Sequence, residues 1–458
     1  MDALGNDGSV AMRRVMRWIG GLVLVAVVGL VGMFALSRLS TPDAVQREAL
    51  ELIENGTVPP AGDNAFDLLW LLPYDVPAAE RAAVVDADVA RMQRELAGPR
   101  IDGEPNVSGE STAEGRYRRV ADDADDADDL EYCDMRAADC LDTVREQRAV
   151  YAKQLARDAA LLARVRELSA YGHIRNRFPP SMFAPFPGFH RVNISATRSA
   201  LDFAEGNVEA ALSGVCRDVT TWRRLGANSD NLIQAVMAAA LVEGNARLFA
   251  DMLAELSLDH PLPQACVAAF DPAAIAPDIC PALIGEATWS FSVMQEYPDT
   301  QGFLAALVFD ALRTRAMAAP AYAHFCTDTV RRQLRDDLPL DPAPGMGSPW
   351  RLECAGNLLG CQLVGIAIPA FAGYPVRVQD MQAMIRTVDA LVWLRGQAEG
   401  AALPPETIAT ALAMRQTGGR DIHHDAETAE LVIKLRGHGG NIEWRVPLPA
   451  SRLEESDW

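Results

Sequence analysis

The chain has 458 residues, 49% hydrophobic and 23% charged, which is enough apolar material for at least one sizeable core and a length that accommodates two or three domains. A formal net charge of -20 repels a phosphate backbone over most of the surface, so general nucleic-acid binding is excluded as a role. Lysine occurs only at Lys153 and Lys434, leaving few candidates for lysine-based covalent chemistry.

The first element is the strongest. From Trp18 to Leu36 the stretch WIGGLVLVAVVGLVGMFAL carries no charge, and at a rise of ~1.5 Å per residue it spans about one hydrocarbon core. It exceeds the ~7–15-residue core of a cleaved signal peptide, so it reads as a retained transmembrane anchor over residues 18–37. Arg13, Arg14 and Arg17 precede it, whereas Arg38 follows alone, a bias that keeps residues 1–17 cytoplasmic and sends the remainder across the membrane.

Beyond the anchor, residues 38–98 read as a juxtamembrane helical region. Thr41 is the expected cap before Pro42, the apolar run Phe66–Leu72 follows, and an amphipathic helix lies after Pro77. Residues 99–131 are rich in Gly, Pro, Ser and acids and read as a linker. Its end, DDADDADDL, has a register of three and no glycine, unlike a calcium loop, and is expected to be a solvated acidic loop that holds no metal.

Residues 132–375 are expected to form a disulfide-stapled helical domain. Apolar positions recur at helical spacing from Asp139 to about Ala170. In SDNLIQAVMAAALVEGNARLFADMLAELS two stripes flank Glu243, Gly244 and Asn245, which predicts an antiparallel helix pair turning at those three residues. Two further helices are expected at 300–319 and 322–338, divided by Pro320. Residues 376–458 form a distinct module: a helix from Val378, a shorter one in LPPETIATALAM, and two strands, AELVIKL and NIEWRVPL, joined by the glycine-rich turn RGHGG. The fold class is therefore mainly α, an N-terminal transmembrane helix followed by an irregular array of antiparallel helix pairs and a small C-terminal α+β unit.

All eight cysteines lie beyond the anchor, and an even count on that side predicts disulfides. Cys133 and Cys140, and Cys354 and Cys361, are each seven apart, too far for a bridge along an unbroken helix but within reach in a bent loop. Local bridges are expected at both. Cys266 with Cys280 is expected across a proline-containing loop, leaving Cys216 with Cys326 by elimination.

Candidates for chemistry are few. The stretch YGHIRNRFPPSMFAPFPGFH interleaves aromatics with His173, Arg175, Arg177 and His190, a composition suited to a groove for an anionic or glycan-like ligand. Equally, its Phe and Pro residues can pack a long connection onto a helical body. His423, His424, Asp425 and Glu427 form a short His-carboxylate run without a spaced further ligand, expected to face solvent on a turn. No nucleophile elbow, zinc-protease helix, phosphate loop or dinucleotide fingerprint occurs, so neither a catalytic residue nor a cofactor is assigned.

Together, the anchor, LLWLLPYDVP, CDMRAADCLDTVR, RFPPSMFAPFP and HPLPQAC give a layout that resembles a group of uncharacterised membrane-anchored proteins of high-GC Gram-negative bacteria. That resemblance implies an inner-membrane location and no activity. The expected role is a non-enzymatic scaffold or interaction protein of the cell envelope, anchored through residues 18–37, with its bulk in the periplasm and an envelope protein as partner. The alternative is an anchored hydrolase or ligand-binding protein acting on cell-wall or lipid material, using carboxylates with His173 or His190.

Overall fold

A computed structural model describes residues 7–448, apart from 102–103, 121–129, 135–138, 190, 302–306, 346–350, 398–407, 409, 411, 413–418 and 438–441. The acidic run at 122–129 and His190 thus lie outside the described residues, as does most of LPPETIATALAM, of which Ile408 and Leu412 are buried in the core.

The chain is mainly helical, with an apolar N-terminal helix and a small antiparallel sheet at the end. Helix α1 (Asp7–Leu39) contains a stretch, Val15–Leu39, long and apolar enough to cross a membrane, and it stands free of the rest of the protein except at its last turn, where Ser37 is buried. Helix α2 (Ala44–Asn55) is capped by Asp43 rather than Thr41. The Asp43 carboxylate accepts from Gln46 N at 2.8 Å while the Gln46 side chain accepts from Asp43 N, a reciprocal box that a carboxylate at this position completes.

Helices α3 (Phe66–Trp70) and α4 (Ala78–Leu96) carry a small apolar cluster of their own, centred on Phe66, Trp70 and Val85. Within it Asp88 is fully buried and satisfied: Trp70 Nε1 donates at 2.8 Å, Ser111 Oγ at 2.6 Å and Thr112 N at 2.6 Å. Those last two donors belong to the stretch read as a linker, which therefore packs down here. A two-residue pair, β1 (Arg100–Ile101) and β2 (Glu104–Pro105), closes its tight hairpin.

The predicted helix from Asp139 onward forms as α5 (Cys140–Glu146), α6 (Arg148–Arg157) and α7 (Ala159–Glu167), broken slightly at Gln147 and Asp158. The main core is then built by α8 (Ile194–Ala204), α9 (Val208–Ala227), α10 (Leu232–Glu255) and α11 (Gln264–Phe270). Helix α10 corrects the expected helix pair, because it runs unbroken through Glu243, Gly244 and Asn245. A mid-helix glycine costs only about 1 kcal/mol relative to alanine, and Asn245 is buried, with its Nδ2 donating to Leu241 O at 2.8 Å inside the helix. Tertiary burial on both sides outweighs that local turn signal.

Helices α12 (Cys280–Gln301), α13 (Ala311–Ala323) and α14 (Asp328–Arg335) follow. Pro320 lies inside α13 and does not divide two helices. The breaks come instead at Asp310 and Thr327, which cap α13 and α14 by accepting from Arg313 N and Val330 N. Short α15 (Leu352–Ala355), apolar α16 (Leu358–Phe371) and long α17 (Gly373–Gln397) complete the helices.

The sheet has three strands rather than two: β3 (Ile422–Asp425), β4 (Glu430–Leu435) and β5 (Ile442–Pro447), antiparallel in the order β3-β4-β5. Ile433 pairs with Trp444 and Leu431 with Val446, as the alternation predicts. His423 and His424, read as a turn, sit on edge strand β3 opposite Val432 and Leu431. The buried face of the sheet, with Leu431, Ile433, Trp444 and Val446, packs against α17 and α10, and one continuous apolar core runs from Ala49 to Val446.

Four disulfides staple the body. Cys133–Cys140 and Cys354–Cys361 form as expected. The other two are corrected: Cys216 pairs with Cys266 and Cys280 with Cys326. Helix α11 packs on α9, which brings Cys266 onto buried Cys216, while Cys280 at the start of α12 faces the single helical turn His324–Cys326 that ends α13.

Helix α1 is not joined to the body by a loose linker. Ser37 is fully buried, donating to Glu353 O at 3.0 Å and accepting from Gly356 N at 2.9 Å. The Arg38 guanidinium reaches Asp310 at 3.4 Å and Phe309 O at 3.4 Å, and Arg313 bonds Ser40 Oγ and the Arg38 carbonyl. Asn357, also buried, accepts from Asp310 N at 2.7 Å and donates to Thr314 at 3.0 Å behind these contacts. The body is thereby keyed to the last turn of α1.

Candidate functional site

The His/Arg stretch after α7 is a strap, held on one side by residues 62–65 and on the other by the end of α9. Ala65 N donates to His173 O at 2.9 Å, Asn64 brackets the Arg175 backbone at 2.8 and 2.9 Å, and Asp230 N donates to Ile174 O at 3.1 Å. Gly172 belongs here because a side chain at that position collides with Ala61 O. Phe178 packs edge-on against Phe66 and Trp70, with ring centroids 5.6 and 4.9 Å away.

The charged members of the strap point in different directions. His173 is buried, its pKa pushed down by desolvation and by Arg175, so the ring is neutral; among the described residues, Arg175 and Asp63 are the charges acting on it. Arg175 donates to Thr57 Oγ1 at 2.9 Å, and Arg177 is held by both Asp67 oxygens at 2.9 and 2.8 Å and by Asp86. These three residues are not brought together around a common opening, and His190 lies outside the described residues. On β3, Asp425 is held down at about 2 by its bond to Arg445, and His423 is exposed. Among the described residues no three His, Cys, Asp or Glu side chains are placed to hold a metal ion.

The opening with room for a ligand lies elsewhere. Helices α10 and α17 and strand β5 enclose a cleft of about 460 Å³, within the range of ligand pockets. Met381, Met384, Leu435, Ile442 and Trp444 supply an apolar lining, and Glu243, Arg247, Arg377 and Glu443 supply charge of both signs. The Arg247 guanidinium sits 5.7 Å from the Trp444 ring centroid, a cation–π contact that fixes the indole. Trp444 Nε1 is buried without a hydrogen-bond partner among the described residues. No family model, curated protein or solved structure matches the chain. The reading of this cleft therefore rests on its own chemistry.

One end of the cleft is built on an ionic lock. Asp337 is fully buried and accepts from Arg386 at 2.9 Å and from Arg420 Nη2 and Nε at 2.8 and 3.0 Å. Asp380, which lines the cleft, bonds Arg420 and accepts from Arg436 N at 2.9 Å and Gly437 N at 2.7 Å. Arg420 and Arg436 belong to the sheet module, whereas Asp337, Asp380 and Arg386 belong to the helical body. The lock sets where β5 stands relative to α10 and α17, and so sets the width of the cleft.

Asp251, one turn beyond Arg247 on α10, has its pKa pushed up to about 7 by burial, opposed by Arg247 and reinforced by Asp142 and Glu255. Since an unfolded aspartate titrates near ~3.9, the native state holds this proton more tightly, and stability falls as pH rises from about 4 towards about 7. Asp251→Asn is expected to raise the unfolding temperature near pH 8 and leave it unchanged near pH 4. Thermal unfolding across that range checks this; the parent's pH slope persisting in the variant contradicts it.

Met381 falls in the helix expected from Val378 and Trp444 in the strand NIEWRVPL, but the meeting of Trp444 with Arg247, on a helix some 200 residues earlier, has no local signal in the chain.

Proposed function

We propose that this chain is a single-pass inner-membrane protein whose stapled helical body lies in the periplasm and serves as a scaffold, binding a segment of another envelope protein in the cleft between α10, α17 and β5. The observation that carries this reading is the cleft itself: two methionines and a tryptophan form an adaptable apolar floor, and charges of both signs flank it, the make-up of a protein-binding surface. Elsewhere the charged side chains of the strap and of β3 are engaged in internal pairs. The arginines before the span, with the four bridges formed by cysteines that all follow it, support the orientation and the oxidising compartment. The hydrolase alternative is less well supported, because His173 faces Asp63 and Arg175 and not a pair of carboxylates.

The test is a photo-crosslinking side chain placed at Ile442, on the cleft, and at Val58, fully in solvent, in the native host. The expected result is a discrete protein adduct from position 442, lost when Arg247→Glu is added, and none from position 58. Identical adduct patterns from both positions would overturn the proposal.

A further inference from the structure

We infer that helix α16, together with Leu312 beside it, is a second membrane contact that seats the body on the same bilayer α1 crosses, at the leaflet where α1 ends. This rests on the reading of α1 as a membrane span. Three observations carry it.

The first is position. Glu353 and Gly356, which grip Ser37 at the end of α1, immediately precede α16, and Asp310, which binds Arg38, immediately precedes Leu312 by two residues. Both apolar elements therefore start at the level where α1 leaves the hydrocarbon.

The second is chemistry. Ala355 to Val376 is 22 consecutive residues without an Asp, Glu, Lys or Arg, in a chain that is 23% charged. Helix α16 has 14 residues, about 21 Å, too short to span a bilayer alone. The stretch Leu358–Gly396, which runs on through α17, is long and apolar enough, but α17 is held in the core through Val378, Ile385, Val388 and Leu391, which leaves α16 as the free apolar part.

The third is exposure. The inner face of α16 is used: Cys361 and Val364 are buried, and Phe371 lies 5.2 Å from the Tyr322 ring. Its outer face is not: Ile366 is 71% exposed, Leu358 56% and Leu363 38%, and Leu312 on α13 is 59% exposed. A helix face of this kind, uncharged along 355–376 and held through residues 352–355 beside the end of a membrane span, is buried by sinking a few ångströms into the headgroup boundary. The Cys354–Cys361 bridge pins the first turn of α16 to the residues that hold α1, so anchor and patch meet the bilayer as one rigid unit.

The test uses the full chain reconstituted into vesicles of phosphatidylethanolamine and phosphatidylglycerol that contain a lipid-dissolved diazirine, with adducts mapped by mass spectrometry after illumination. The expected adducts fall in residues 18–36 and also in 358–366. Adducts in 18–36 alone overturn this inference and leave the anchor standing, whereas adducts in neither segment overturn the anchor reading itself. In Ile366→Glu, where the side chain is 71% free of the protein body, labelling of 358–366 is expected to drop severalfold. Labelling of α1 should be unchanged and the Cys354–Cys361 bridge intact. Undiminished labelling of 358–366 in that variant also contradicts the inference.

Discussion

The paired substitution Cys216→Ala/Cys266→Ala is expected to lower the stability of the body by about 4 kcal/mol, as read from the urea midpoint of the full chain in nanodiscs. The bridge closes a separation of 50 residues between α9 and α11, and a loop of that length removes a large share of unfolded-chain entropy. Both cysteines are fully buried where α11 packs on α9, so their loss also leaves a small void in the core. Removing Cys354–Cys361, which closes only seven residues, should cost about half as much by the same reasoning. Equal losses for the two pairs would contradict the dependence on loop length from which both values are drawn.

Asp337→Asn is expected to be nearly as damaging, at about 3–5 kcal/mol, with an effect concentrated in the sheet module. Asp337 has φ 54°, a left-handed backbone that asparagine also adopts readily, so the substitution removes the charge and leaves the turn intact. What remains is Arg420, 8% exposed, facing Arg386 and Arg436, with Asp380 the one carboxylate among the described residues still bonded to Arg420. A largely buried cluster of three guanidinium groups that has lost its central carboxylate relaxes by releasing the segment that carries Arg420 and Arg436. Limited proteolysis should therefore open new sites between residues 419 and 447 while the α8–α11 core stays protected. A variant with the parent's proteolysis pattern and stability would show that the lock does not hold the module.

The legible parts of this fold are those written in local periodicity. The uncharged run 18–36, the stripes of α5 to α7 and the alternation of Leu431, Ile433 and Leu435 each specify an element from a few neighbouring residues. Strand β3 escaped because Ile422–Asp425 has a single apolar residue and survives as an edge strand on backbone pairing and the Asp425–Arg445 contact. The turn expected at Glu243–Asn245 and the break expected at Pro320 failed for a shared reason: local breakers were outweighed by burial of the helix around them.

Long-range pairing was the least legible property. Proximity in sequence suggested Cys266 with Cys280, but disulfides follow helix packing, and α11 lies on α9. The cleft likewise joins Arg247 to Trp444, and the lock joins Asp337 to Arg420, 83 residues away. In the His/Arg strap, composition suggested a groove for a ligand or a long connection packed on a helical body. Its arginines are spent on Thr57 and on tying α3 to α4, while the backbone of Ile174 and Asn176 holds the strap to Asp230 beyond α9, a use that composition alone does not distinguish from ligand binding.

The central claim is a stapled body held outside the cytosol on the end of one membrane helix, and protease treatment of intact spheroplasts tests it most directly. The account predicts that residues beyond 40 are digested from outside while a fragment containing α1 and its N-terminal tail stays protected. Full protection of the body, with periplasmic control proteins digested in the same sample, would contradict it.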